Sequence, residues 1–145
     1  MAFAPGVSLG PLILIPEASR YTTWQLSAGA ATSFTDAWGA GVANPYTPKG
    51  VKGLLLQYLS TFTGDGVDDE SLFLLRKNGS AVTNSVALVR CGAFRGALTL
   101  NITIRNSGLV VVECDSDGII EYINSTGATA IGTLYLVTHG YYMGG

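Results

Sequence analysis

The sequence predicts an all-β protein: an antiparallel, jelly-roll-like β-sandwich of about eight strands, preceded by an extended N-terminal arm. Three observations carry that prediction. All five prolines fall at or before Pro48, so the stretch from Lys49 to Gly145 is free to form an uninterrupted β ladder. Within that stretch apolar and polar residues alternate, and short clusters of Gly, Asn, Asp and Ser punctuate the runs. No segment of helical length carries a three-four apolar period.

The arm is Met1 to Arg20, and the sandwich domain is 21–145. Within the arm only Glu17 and Arg20 carry charged side chains, and Pro5, Pro11 and Pro16 interrupt it. Its centre, Leu12-Ile13-Leu14-Ile15, is aliphatic with a proline on either side. That block is too short and too interrupted to cross a bilayer, which takes about 20 apolar residues. Proline also disfavours a helix interior or a central strand. An extended, greasy arm needs a surface to lie on. Burying Phe3 and Leu12 to Ile15 would contribute several kcal/mol at about 25 cal/mol per Å², partly offset by ordering the chain.

Short strands are expected at Trp24–Leu26 and Ser33–Asp36. Val51–Phe62 follows, with Leu54, Leu55, Leu56, Tyr58 and Leu59 placing apolar groups on both faces. Such a strand is either central or meets another subunit with its second face. Further strands are expected at Ser71–Arg76, Val82–Arg90, Ala97–Arg105, Leu109–Cys114, Ile119–Asn124 and Ala130–Thr138. Ala97–Arg105 has the cleanest period of two, with Leu98, Leu100, Ile102 and Ile104 on one face. Turns fit at Lys77–Ser80, Asn106–Gly108, Asp115–Gly118 (read as a hairpin) and Asn124–Gly127.

One domain of 145 residues can close a single core. Charged residues make up only 12% of it, about half the usual share of roughly 25%, so much of the surface is expected to be buried in an assembly. A net charge of -2 gives no electrostatic ground for nucleic acid, and no membrane partner is expected. The N-terminus lacks the basic start of a secretory signal, which reads as a cytoplasmic product. On that reading the glycosylation patterns at Asn78, Asn101 and Asn124 are turn and strand residues. Cys91 and Cys114 match no metal spacing and are expected as free, buried thiols.

No catalytic, cofactor or metal residues are assigned. Nucleophilic catalysis needs a base beside the nucleophile, and the single histidine, His139, reads as a strand-end or packing residue. Glycosidase chemistry needs two carboxylates at fixed separation, but Glu113 and Glu121 read as outward-facing strand residues. Asp65, Asp68, Asp69 and Glu70 read as a solvated loop rather than a calcium site. Trp24, Trp38, Tyr46, Tyr141 and Tyr142 are the candidates for a sugar platform. Both tryptophans read as core or arm-pinning residues, and the tyrosine pair as an edge or subunit seal.

Three segments carry a resemblance. They are Pro48-Lys49-Gly50-Val51-Lys52-Gly53-Leu54-Leu55-Leu56, Leu72-Phe73-Leu74-Leu75-Arg76-Lys77-Asn78-Gly79-Ser80, and Ile119 to Asn124 continued through Leu134 to Gly140-Tyr141-Tyr142. Together they resemble the β-sandwich auxiliary proteins of bacteriophage virions, capsid decoration proteins among them. The resemblance implies a non-enzymatic virion protein, assembled in the host cytoplasm, that stabilises a capsid. It implies an oligomer, expected as a homotrimer, bound to a major capsid or other virion protein. The arm would reach across neighbours, with Phe3, Leu12, Ile13, Leu14, Ile15, Tyr141 and Tyr142 as the assembly interface. The alternative is a tail-fibre or carbohydrate- or receptor-binding module, and a small hydrolase is a third, weaker reading.

Overall fold

The structure is a computed structural model that describes residues 8–20, 24–27, 33–63, 68–83, 87–97, 103–126 and 131–144. In chain order the elements are β1 (Leu12–Leu14), α1 (Glu17–Arg20), β2 (Trp24–Ser27), β3 (Thr35–Asp36), β4 (Gly53–Thr63), β5 (Asp68–Lys77), β6 (Val89–Ala97), β7 (Thr103–Glu113), β8 (Ile120–Thr126) and β9 (Ile131–Tyr142).

The strands form two antiparallel sheets. The front sheet runs β2-β9-β4-β7, with β1 sharing the β9 edge beside β2, and the back sheet runs β3-β8-β5-β6. From β2 onward each strand crosses to the opposite sheet, except that β5 and β6 are paired neighbours. That interleaving is the jelly-roll arrangement of two four-stranded sheets. The expected all-β sandwich is therefore the fold found.

The core lies between the sheets. Leu54, Leu56 and Phe62 from β4 face Phe73 and Leu75 from β5, joined by Val112, Ile120, Leu134 and Leu136. Phe62 and Phe73 stack across the gap with ring centroids 5.2 Å apart. β4 is the central strand of the front sheet, between β9 and β7; Leu54, Leu56 and Phe62 face the core, while Leu55 and Leu59 point outward. Arg76 on β5 pairs with Glu121 on β8 at 2.6 Å and lies 3.5 Å from the Phe34 ring centroid.

Several expectations need correction. Asn106-Ser107-Gly108 is no turn but the middle of β7, paired in register with Ser60, Leu59 and Tyr58. Gly108 is there for close approach: a Cβ on it would come within 3.1 Å of the Tyr58 ring. Ala97–Arg105 is not one strand in one sheet, since Ala97 ends β6 in the back sheet and Thr103 begins β7 in the front. Its centre, residues 98–102, lies outside the described residues.

Of the strand expected at Val82–Arg90, Val89 and Arg90 belong to β6 (Val89–Ala97), residues 82–83 and 87–88 are not strand, and residues 84–86 lie outside the described residues. Asp115–Gly118 is a turn but not a hairpin, because it carries the chain from β7 in the front sheet to β8 in the back. Asn124–Thr126 belongs to β8 rather than to a turn, and Asp68–Glu70 opens β5 rather than lying in a loop. The Lys77–Ser80 turn is as expected: Gly79 has φ 73°, and the Ser80 N–H donates to the Lys77 carbonyl.

Candidate docking surfaces

Residues 9–15 of the arm run antiparallel to the C-terminal end of the chain. The Gly144 N–H donates to the Leu9 carbonyl at 2.8 Å, Leu12, Ile13 and Leu14 register against Tyr142, Tyr141 and Gly140, and the Ile15 N–H donates to the His139 carbonyl at 2.9 Å. Two glycines make the seat. A Cβ on Gly53 would meet the Leu9 side chain at 3.2 Å, and one on Gly140 would meet Leu12 Cδ1 at 2.9 Å. A side chain at Gly140 would hold the arm off the sheet, because it would also stand 2.7 Å from the Ile13 carbonyl oxygen, whereas one at Gly53 would press only on the Leu9 side-chain tip.

After Pro16 the arm is not extended. Glu17–Arg20 makes a single helical turn, with its acid at the start and its base at the end as the peptide dipoles favour. Arg20 Nε donates to the Ile15 carbonyl, folding the turn back over the anchor.

The expected interface residues divide into two groups. Ile15 is buried at 6% exposure and Tyr141 packs against the core, so both hold the arm down. Leu12, Ile13 and Leu14 remain 39%, 41% and 58% exposed on a strand without a charge. Tyr142 is half-buried beside Leu12, and Phe3 lies outside the described residues.

A second apolar surface is the outer face of the front sheet, which sequence reasoning left as an alternative for Val51–Phe62. Leu55, Gln57 and Leu59 of β4 lie beside Val111, Leu109 and Ser107 of β7 on that face. Across β4 the neighbours are Val137 and Tyr135 of β9. Leu59, Leu109 and Val111 are 38%, 62% and 43% exposed. Leu109 and Val111 fall in the strand expected at Leu109–Cys114, but residues 109–112 are apolar at every position, so the run alone does not show which of them point outward.

Among the described residues the chemistry-bearing side chains do not converge. His139 sits inside β9, as the extra residue where the register slips opposite Leu55 and Leu56, and its Nε2 lies 2.8 Å from Gln57 Oε1. Burial and, secondarily, the Arg20 guanidinium hold its pKa below the ordinary imidazole value. Glu113 bridges to Lys77 at 3.0 Å on the surface, and Glu121 is held by Arg76. Cys91 and Cys114 are free and buried, and burial pushes both thiols up to about 12. Neither has the depressed pKa of a nucleophile.

Trp38 is 2% exposed and belongs to the core, so it offers no sugar platform. Tyr46 is half-buried, and the Trp24 side chain lies outside the described residues. Among the described residues no group of three or more His, Cys, Asp or Glu side chains could hold a metal, and no helix is long and apolar enough to cross a membrane. Asp65 lies outside the described residues.

The fold and these surfaces define a jelly-roll β-sandwich with an apolar edge strand and an apolar outer sheet face. No protein-family model matches the sequence, and no curated protein matches it.

Proposed function

We propose that this chain is a non-enzymatic structural protein of a bacteriophage virion, a capsid decoration protein that stabilises the shell by docking as an oligomer. One observation carries the reading. Leu12 and Leu14 on one face and Ile13 on the other are all exposed on an uncharged edge strand whose backbone is already ordered against β9. A strand held in place loses little further chain entropy on binding. Burying the exposed parts of three aliphatic side chains is worth about 2–4 kcal/mol per copy, and an oligomer multiplies that through effective concentration. Pro11 and Pro16 bracket the strand and limit uncontrolled strand addition to its edge.

The test uses the intact protein and emptied heads of the phage whose genome encodes it. Wild type is expected to co-sediment with the heads, and mass spectrometry of purified virions to find the chain. Leu14→Ser, at the most exposed arm position, is expected to weaken co-sedimentation at least about tenfold with unchanged thermal unfolding. Absence from virions, or full binding by Leu14→Ser, sinks the reading.

A further inference from the structure

The outer face of the front sheet carries a hole and a knob side by side. The hole is a groove of about 430 Å³, lined on that face by Gln57, Leu59, Ser107, Tyr135 and Val137. The knob is Leu109, 62% exposed and directly opposite Gln57 in the β4–β7 ladder. Neither β4 nor β9 contains Asp, Glu, Lys or Arg. On the outer face of β7 the charges are Arg105 toward one end and Glu113 at the other.

We propose that this face is a homotypic interface, on which a second copy of the chain stacks about a two-fold axis with each Leu109 seated in the other's groove. A two-fold interface requires one patch to carry both halves of the contact, and this face does. An axis lying across the strands near Gly108 stacks β7 on β7, so each Leu109 enters the other's groove at its Ser107 wall and the Arg105 end of one copy lies toward the Glu113 end of the other. Along β4 and β9 themselves the stacking buries no Asp, Glu, Lys or Arg side chain, so it strands no ion of those two strands.

The area lies at the lower end of what stable pairs bury. β4, β7 and β9 with the four-residue β2, at about 3.4 Å per residue and about 4.8 Å between strands, make a face of about 600 Å². A standard stable interface buries about 800 Å² per partner. This surface adjoins the arm, whose Leu9 and Leu12 cover Gly53 and Gly140 at one end of the same sheet, and the stacking makes the unit a two-fold pair rather than the homotrimer implied by resemblance.

Sedimentation equilibrium over about 1 to 100 µM, the weak end of affinity for an interface of this size, tests the proposal on the full chain. Wild type is expected to approach twice the 15.1 kDa chain mass. Leu109→Lys places an ammonium in the groove and is expected to weaken pairing at least tenfold. Val82→Lys, at a 42% exposed position outside this face, is expected to pair as wild type does. Circular dichroism melts confirm that each variant is folded.

A monomer throughout that range, a trimer mass, or an undiminished pair with Leu109→Lys overturns the inference. A trimer mass would do so while leaving the arm's role in shell binding intact, because that role is read from Leu14→Ser and the heads.

Discussion

Leu12 lies over Gly140. A Cβ on that glycine would stand 2.9 Å from Leu12 Cδ1 and 2.7 Å from the Ile13 carbonyl oxygen. The second of these contacts is to backbone, which cannot swing aside as a side-chain tip can. Gly140→Ala should therefore push β1 off β9 and break the register of Leu12–Leu14 with 140–142. The expected cost is about 1–3 kcal/mol, as for other overpacked positions. Urea unfolding measures that cost, and limited proteolysis within residues 8–20 should quicken. Wild-type stability with wild-type proteolysis would show that the arm is not seated on this glycine.

Asp115 organises the crossing from the front sheet to the back. One carboxylate oxygen accepts the backbone N–H groups of Asp117 and Ile119, at 3.0 and 2.8 Å. The other accepts Asn78 Nδ2 at 2.8 Å, tying this crossing to the β5–β6 turn. Hydrogen bonds to a charged acceptor contribute about 1.5–3 kcal/mol each at most, and removing the acceptor strands partly buried donors. Asp115→Ala is expected to cost about 2–4 kcal/mol in total, with Asp115→Asn recovering part of it. A midpoint of denaturation unchanged in Asp115→Ala would refute the staple.

The sandwich was legible because period-two alternation and turn chemistry are local signals, written within single strands such as β4 and β9. What misled was glycine. Gly108 reads as a turn residue in Asn106-Ser107-Gly108, yet its missing side chain accommodates the Tyr58 ring inside β7. Only the strand alongside reveals that use, and it lies far away in sequence. The same holds for the arm. Its greasiness is plain from Leu12 to Ile15, but the seat is made by Gly53 and Gly140, remote glycines with no motif around them. The outer face of the front sheet was legible by half: β4 shows its second apolar face and Leu109–Cys114 reads as a strand, but only the β4–β7 register sets Leu109 and Val111 beside Gln57 and Leu55.

Cys91 and Cys114 give a direct measure of core closure. Cys91 is fully buried and Cys114 nearly so, and burial lifts both thiols to about 12. A thiol reagent needs thiolate and access, and the native protein supplies neither at pH 8. Iodoacetamide should leave both unmodified in buffer and alkylate both in concentrated guanidinium, as read by intact mass. Native labelling of either cysteine at the denatured rate would mean that the sandwich opens far more readily than its packing implies.

His139 makes the arm's anchor sensitive to pH. It is the chain's only histidine, so its imidazole protons titrate without overlap in an NMR spectrum. The folded protein holds its pKa below the ordinary value of about 6.5, through burial first and the Arg20 guanidinium second. A depressed histidine pKa means that the unfolded chain binds the proton more tightly than the folded one. Its effect on stability is therefore absent above about pH 6.5. It grows as a loss when the pH falls below that value, and it levels off beneath the lowered folded pKa. The Ile15 N–H donates to the His139 carbonyl, and Arg20 caps Ile15 from the other side, so proteolytic release of the arm should rise over the same interval. His139→Gln keeps a polar partner for Gln57 and removes the titration, and should flatten that part of the stability–pH curve. A folded-state titration midpoint at or above 6.5 would reverse the sign and exclude this coupling.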